Sequence, residues 1–120
     1  AEPLMPSPLA AILIGAVGGV IVVYGTKLLL SLKIDDVVGA IPAHLFAGIW
    51  GTLAVPITNP DTNFGAQLLG VISINAFVFI VSLIVWAFMK NTFGIRLSKE
   101  GELKGTDVTE TGVIAYAIRD

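Results

Sequence analysis

The sequence contains no cysteine and a single histidine, His44, among its 120 residues. Without cysteine the chain has neither a disulfide framework nor a Cys-based metal or redox site. A zinc site formed by this chain alone is not expected from one histidine. Because the sequence also lacks a nucleophile-and-base pair and a nucleotide-binding loop, we expect no enzyme activity, no cofactor and no nucleic-acid partner.

Charge is scarce as well, and three long stretches contain none. Charged residues make up 13% of the chain and hydrophobic residues 55%, and the mean hydropathy is +0.88. Residues 3–26, 37–60 and 62–89 include no charged side chain. Each stretch exceeds the roughly 20 apolar residues that cross a bilayer as a helix. We therefore predict an integral membrane protein.

The predicted fold is all-α, with three transmembrane helices and a solvated cytoplasmic tail. The first apolar stretch lacks the basic segment that opens a signal peptide, and two similar stretches follow it, so we interpret it as structural. The turn formers of residues 58–63 separate the last two helices. The predicted helices cover residues 8–32, 37–57 and 64–93, and the tail covers residues 94–120.

The basic residues predict a single orientation. Lys27 and Lys33 flank the first connection, five more basic residues follow the third helix, and none lies before the first helix or between the second and third. By the positive-inside rule, the N-terminus of this segment lies outside and the C-terminus in the cytoplasm. We expect a multi-pass protein of the cell (inner) membrane.

Short-range patterns predict how the helices begin and pack. Asp35 or Asp36 can cap the second helix, because carboxylates accept from the free N–H groups that open a helix. Spacings of three and four predict a packing face on that helix, and Gly15 and Gly19 predict ordinary close packing of the first helix. The packing face of the second helix is predicted to contain Ala40, Ala43, Ala47 and Gly51, and a polar face of the third helix Gln67, Asn75 and Ser82.

His44 is the predicted functional residue. It is the only side chain within the apolar stretches that can ionise near neutral pH, and it lies about 12 Å from the cytoplasmic end of its helix at 1.5 Å per residue. An ionisable group at that depth is costly unless it faces a cavity or a partner. A neutral imidazole offers one donor and one acceptor, and it can exchange a proton near neutral pH. A structural histidine bonded to a neighbouring helix is the alternative.

Two groups of residues resemble the ammonium transporter family (Amt/Mep/Rh). The first resembles the family's tenth transmembrane helix, and the second resembles its cytoplasmic C-terminal signature without a gap. The resemblance covers essentially the whole chain, as helices nine, ten and eleven plus the tail. The first group is Ile34-Asp35-Asp36, His44, Gly48 and Gly51, and the second is Gly94-Ile95-Arg96-Leu97, Glu100, Glu102, Gly105-Thr106-Asp107, Gly112 and Ala115-Tyr116.

The resemblance implies a homotrimer with eleven helices and one pore per subunit. Two pore histidines guide deprotonated ammonia in that family, and His44 matches the second of them. The first histidine, the phenylalanine gate and the ammonium-recruiting site belong to earlier helices. The family's tail contacts the neighbouring subunit and couples to PII signalling proteins, through positions that correspond to Arg96, Glu102, Gly105, Asp107 and Tyr116.

The sequence departs from the family pattern at three positions. Gly39 stands where many members have an acidic residue, and Leu45 stands where a glycine follows the histidine. Thr111 replaces a histidine that is common before the tail glycine. Leu45 bears on the width of the pore, and Thr111 bears on regulation of the tail.

Two hypotheses of different classes follow from the sequence. In the first, the chain is the terminal part of an ammonium transporter and His44 lines its conduction path. In the second, it is a free-standing three-helix membrane subunit that assembles or regulates a larger complex and conducts nothing. The missing initiator methionine and the small size suggest that partners or preceding helices are lacking, and the upstream coding sequence would discriminate between the hypotheses.

Overall fold

The computed structural model describes residue 2 and residues 4–115, and helices joined by turns make up this part of the chain. Three helical spans, Pro8–Ser31, Ile41–Thr58 and Phe64–Thr92, are long and apolar enough to cross a membrane. The predicted fold class is confirmed. The elements are α1 (Pro8–Ser31), a π-helical turn (Ile41–Phe46), α2 (Ala47–Thr58), α3 (Phe64–Thr92), α4 (Lys99–Lys104) and a second π-helical turn (Asp107–Thr111).

Helix α1 is capped at both ends. The Ser7 hydroxyl accepts from the Ala10 amide at 3.2 Å, and Pro8 follows Ser7 at the first helical position, where its missing N–H costs nothing. At the other end, the amides of Lys33 and Ile34 donate to carbonyls in the last turn at 3.1 and 3.0 Å. This is the Schellman arrangement, in which Lys33 has a positive φ of 57° where glycine is usual.

The second span begins at Ile41, so the predicted start at residue 37 is wrong. The amide of Gly39 donates to the carbonyl of Asp36 at 3.2 Å, and Gly39 adopts a positive φ of 67°. Residues 37–39 therefore form a turn. His44 thus lies three residues, about 5 Å, from the start of its helix, and the predicted 12 Å is wrong. The span then opens as a π-helix, because the Ala47 amide donates to the Pro42 carbonyl five residues earlier.

Helix α1 packs against the second span through small residues and one tryptophan. An added Cβ at Gly25 would lie 3.0 Å from the Cβ of Pro42, which shows how closely the two backbones approach. Nearer the other end, Trp50 donates its indole N–H to the carbonyl of Ile14 at 3.0 Å. Pro42 and Ala54 of the second span are buried.

The predicted packing face of the second span is partly covered by the described residues. Of its members Ala43 is exposed, whereas Ala40, Ala47 and Gly51 are half-buried. On α1, an added Cβ at Gly15 or Gly19 would meet no atom within 4 Å. The π-helical turn adds about one residue per turn, and it shifts the face that an α-helical spacing predicts.

The chain divides into two compact units, Ala1–Phe77 and Val78–Asp120. In the first unit, a hydrogen bond joins the chain before α1 to the loop after α2. The amide of Asn59, whose residue is 8% exposed, donates to the carboxylate of Glu2 at 2.5 Å. The boundary between a membrane part and a tail at residue 93 stays a prediction.

Candidate functional site

A groove of about 290 Å³ lies between the second span and α3 in the first unit. Helix α3 buries none of its side chains, and no Cα atom of α3 lies within 8 Å of one in another helix of the described residues. The groove is therefore an open space and not a sealed helix contact. Its lining comprises His44, Leu45, Gly48, Ile49 and Thr52 from the second span and Gln67, Gly70, Val71, Ile74 and Asn75 from α3.

Two polar side chains of the groove form hydrogen bonds within their own helices. Thr52 donates its hydroxyl to the carbonyl of Gly48 at 2.9 Å, and Asn75 donates its amide to the carbonyl of Val71 at 2.7 Å. The amide oxygen of Asn75 keeps its capacity to accept. Gln67 and Asn75 share this groove as members of the predicted polar face of α3, whereas Ser82 is exposed and does not line it.

His44 lies inside the first π-helical turn and lines the groove. Within the described part of the chain its side chain is exposed, and no protein group there forms a hydrogen bond with the ring. π-Helical turns are rare and occur frequently at functional sites. The imidazole therefore presents one donor and one acceptor to whatever occupies the groove.

Asp36 caps the turn that carries His44. Its two carboxylate oxygens accept from the amides of Ala40 and Ile41 at 2.8 and 2.7 Å. Asp35 is exposed. Of the two carboxylates that the sequence offered as caps, the structure therefore brings only Asp36 to the helix start.

The two glycines of the first family group, Gly48 and Gly51, lie in different surroundings. Gly48 lines the groove, and a Cβ added there would meet no atom within 4 Å. Gly51 lies one turn further along α2 and is half-buried. Space at Gly48 therefore widens the groove next to His44.

The tail contains a capped helix, which the sequence analysis did not predict. Ser98 accepts from the amide of Gly101 at 3.1 Å and so opens α4. Arg96 donates Nε and Nη2 to the two oxygens of Glu102 at 2.5 and 3.1 Å. These hydrogen bonds and the attraction between the charges raise the pKa of Arg96 and lower the pKa of Glu102. The pair keeps its charges through the neutral range.

Asp107 organises the second half of the tail. Its carboxylate accepts from the amide of Ala115 at 2.8 Å, and this hydrogen bond, with a further one from the Val108 amide, lowers the pKa of Asp107. Gly105 has a φ of 103°, and an added Cβ would lie 2.6 Å from an Asp107 oxygen. Glycine is therefore required beside Asp107. Tyr116, the last predicted tail residue, lies outside the described residues.

A known protein family matches nearly the whole chain. The model of the Ammonium Transporter Family matches residues 4–116. The chain belongs to the ammonium transporter family. The similarity thus spans the groove, the π-helical turn with His44 and nearly all of the tail.

Two archaeal relatives show how far this ammonium transporter family similarity extends. Ammonium transporter Amt2 of Archaeoglobus fulgidus is 36% identical over 130 residues, which cover 91% of this chain and 28% of the relative. Ammonium transporter Amt1 of Haloferax mediterranei is 37% identical over 110 residues, which cover 88% of this chain and 21% of the relative. The chain spans about a quarter of the length of these curated relatives.

Sequence reasoning missed the α1 glycine that contacts the π-helical turn in this family member. Gly25 packs against the π-helical turn, whereas the sequence analysis singled out Gly15 and Gly19. A usable signal was the spacing of Gly18 and Gly25, because residues seven apart share a helix face. The π-helical turn itself has no comparable signature in the sequence.

Proposed function

We propose that the chain is the C-terminal portion of an ammonium transporter and that His44 lines its conduction path. One observation carries the proposal. In a chain of this family, the ionisable side chain of the second span faces an open groove together with two amide side chains, Gln67 and Asn75. Intramembrane ionisable groups that face cavities mark substrate paths in membrane proteins.

The lining of the groove favours passage of a neutral species. Leu45, Ile49, Val71 and Ile74 present apolar walls. A charged ammonium ion between such walls loses its hydration, which costs far more than the transfer of neutral ammonia. The imidazole of His44 can accept a hydrogen bond from ammonia or donate one to its lone pair. We therefore infer that ammonium is the substrate and that ammonia passes His44.

The membrane arrangement is part of the same proposal. The full-length protein would be a homotrimer in the cell membrane, with the loop of residues 59–63 outside and the tail in the cytoplasm. The distribution of basic residues supports this orientation, because Lys27, Lys33 and Lys90 all lie at one end of the spans.

The tail is proposed to be the regulatory segment. The Arg96–Glu102 pair and the Asp107–Ala115 hydrogen bond give it a defined conformation in place of a loose chain. A defined surface is what a neighbouring subunit or a PII signalling protein needs for recognition, because ordering a loose segment reduces affinity.

Uptake of methylammonium by cells that express the full-length protein tests the role of His44. We expect His44→Ala and His44→Leu to lower uptake per transporter at the membrane by at least about tenfold, which corresponds to about 1.4 kcal/mol. Ala43→Ser is the matched control, since Ala43 is in the same turn but does not line the groove. Unchanged uptake in both His44 variants would refute the pore assignment.

A further inference from the structure

The π-helical turn contacts α1 on one side and borders the groove on another. On one side, Gly25 of α1 faces Pro42 and Phe46, which are four residues apart. His44 lies midway between these two residues in the chain, and it lines the groove between the second span and α3. Residues four apart share one helix face, and the residue midway between them points elsewhere. The contact with α1 and the groove thus lie on different sides of a single turn.

The approach at Gly25 leaves no room for a side chain. A Cβ added there would lie 2.7 Å from Cδ2 and 3.2 Å from Cε2 of Phe46, and 3.0 Å from the Cβ of Pro42. Carbon atoms in favourable contact are about 3.5–4.0 Å apart. Because Pro42 is a rigid ring and is fully buried, the turn as a whole has to move away from α1 to relieve the overlap.

We propose that Gly25 is a positioning residue for His44. Its missing side chain allows the π-helical turn to rest directly on the α1 backbone, and this contact sets how far the imidazole extends into the groove. The inference depends on the proposed role of His44 in conduction. A methyl group at residue 25 pushes the turn several tenths of an ångström toward the groove and displaces the ring from its working position.

Helix α1 offers a matched control at Gly18. An added Cβ at Gly18 would meet only Cδ1 of Trp50, at 3.8 Å, which is an ordinary van der Waals contact. Gly18→Ala therefore adds the same methyl group to the same helix, facing the same neighbouring span, without pushing the turn. Any general effect of an alanine on α1 is present in both variants.

The test measures initial rates of methylammonium uptake by the full-length protein over a range of concentrations, divided by the amount of transporter at the membrane. We expect Gly25→Ala to lower the maximal rate about tenfold while the half-saturating concentration changes less than twofold, because displacements below 1 Å already impair pre-organised sites. Gly18→Ala should retain the wild-type rate. In the double variant Gly25→Ala with Phe46→Ala, the closest overlap, at 2.7 Å, is gone and only the 3.0 Å approach to Pro42 remains. The rate should therefore recover at least threefold over Gly25→Ala.

Three results would overturn the proposal. The first is a wild-type rate per transporter in Gly25→Ala, and the second is a loss that the double variant does not restore, as expected of general packing damage. If Gly25→Ala does not accumulate, Phe46→Ala alone can be measured, because it loosens the same contact and is expected to lower the rate about threefold. The third result that would overturn the proposal is an unchanged rate in Phe46→Ala. His44→Ala, measured in parallel, separates the conduction role of His44 from the positioning role of Gly25. Normal uptake in His44→Ala would overturn both proposals. Loss of uptake in His44→Ala together with normal uptake in Gly25→Ala would overturn only the positioning role.

Discussion

Replacing Asp36 with alanine removes the cap from the turn that carries His44. Both oxygens of the half-buried carboxylate accept from backbone amides, those of Ala40 and Ile41, at 2.8 and 2.7 Å. Loss of a side-chain cap costs about 0.5–2 kcal/mol, and hydrogen bonds to charged groups lie toward the upper end of such values. We expect Asp36→Ala to destabilise the protein by about 1–2 kcal/mol, a factor of about 5–30 in the folded-to-unfolded ratio.

The neighbouring carboxylate provides the control for this prediction. Asp35 carries the same charge but is exposed, so Asp35→Ala should change stability by less than about 0.5 kcal/mol. Asp36→Asn keeps one accepting oxygen and should destabilise the protein about half as much as Asp36→Ala. Unfolding of the full-length protein in mixed micelles by increasing dodecyl sulfate, followed by circular dichroism, measures all three variants. Equal losses in Asp35→Ala and Asp36→Ala would refute the capping argument.

Three further predictions concern the helix end and the tail. Lys33→Gly should stabilise the protein by up to about 1 kcal/mol in the same assay. Glycine relieves the left-handed backbone strain of about 1–2 kcal/mol, which exceeds the cost of the conformational entropy that it adds to the unfolded chain. The control Lys27→Gly removes the same charge inside α1 and should destabilise the protein by about 1 kcal/mol. The pKa of Glu102 is lowered from its usual 4.5, so this carboxylate stabilises the tail above pH 4.5, and the stabilisation is lost as the pH falls through the lowered pKa. Protection of the α4 amides from hydrogen exchange should decrease over the same pH range. Glu102→Gln should remove this pH dependence. Gly105→Ala should speed proteolysis of the tail, since the new Cβ would lie 2.6 Å from an Asp107 oxygen; an unchanged cleavage rate would contradict the required glycine.

The sequence predicted the three spans well because charge-free stretches and turn formers mark them directly. Helix α3 ends within one residue of its predicted end, and α1 does the same. The start of the second span was wrong by four residues. Residues 37–40 are as apolar as the helix that follows, and the helix start depends on where the carboxylate of Asp36 reaches. Composition carries no information about that reach.

The candidate site was partly predictable for a related reason. An ionisable residue in an apolar stretch identified His44, and helical spacing placed Gln67 and Asn75 on one face, which the groove contains. The π-helical turn and its contact with Gly25 depend on how α1 and the second span dock. Spacing singled out Gly15 and Gly19 among the four glycines of α1, whereas tertiary packing places Gly25 against the turn.

The hydrogen bond between Glu2 and Asn59 has a mechanical consequence. It links α1 and the second span at the end opposite the turn that connects them in the chain, so these two elements are held together at both ends. Among the described residues, α3 forms no such contact with α1 or the second span, and only the chain after Asn59 connects it to the second span. A change in groove width would therefore pivot at residues 60–63, while the contact of Gly25 with the π-helical turn keeps α1 and the second span together.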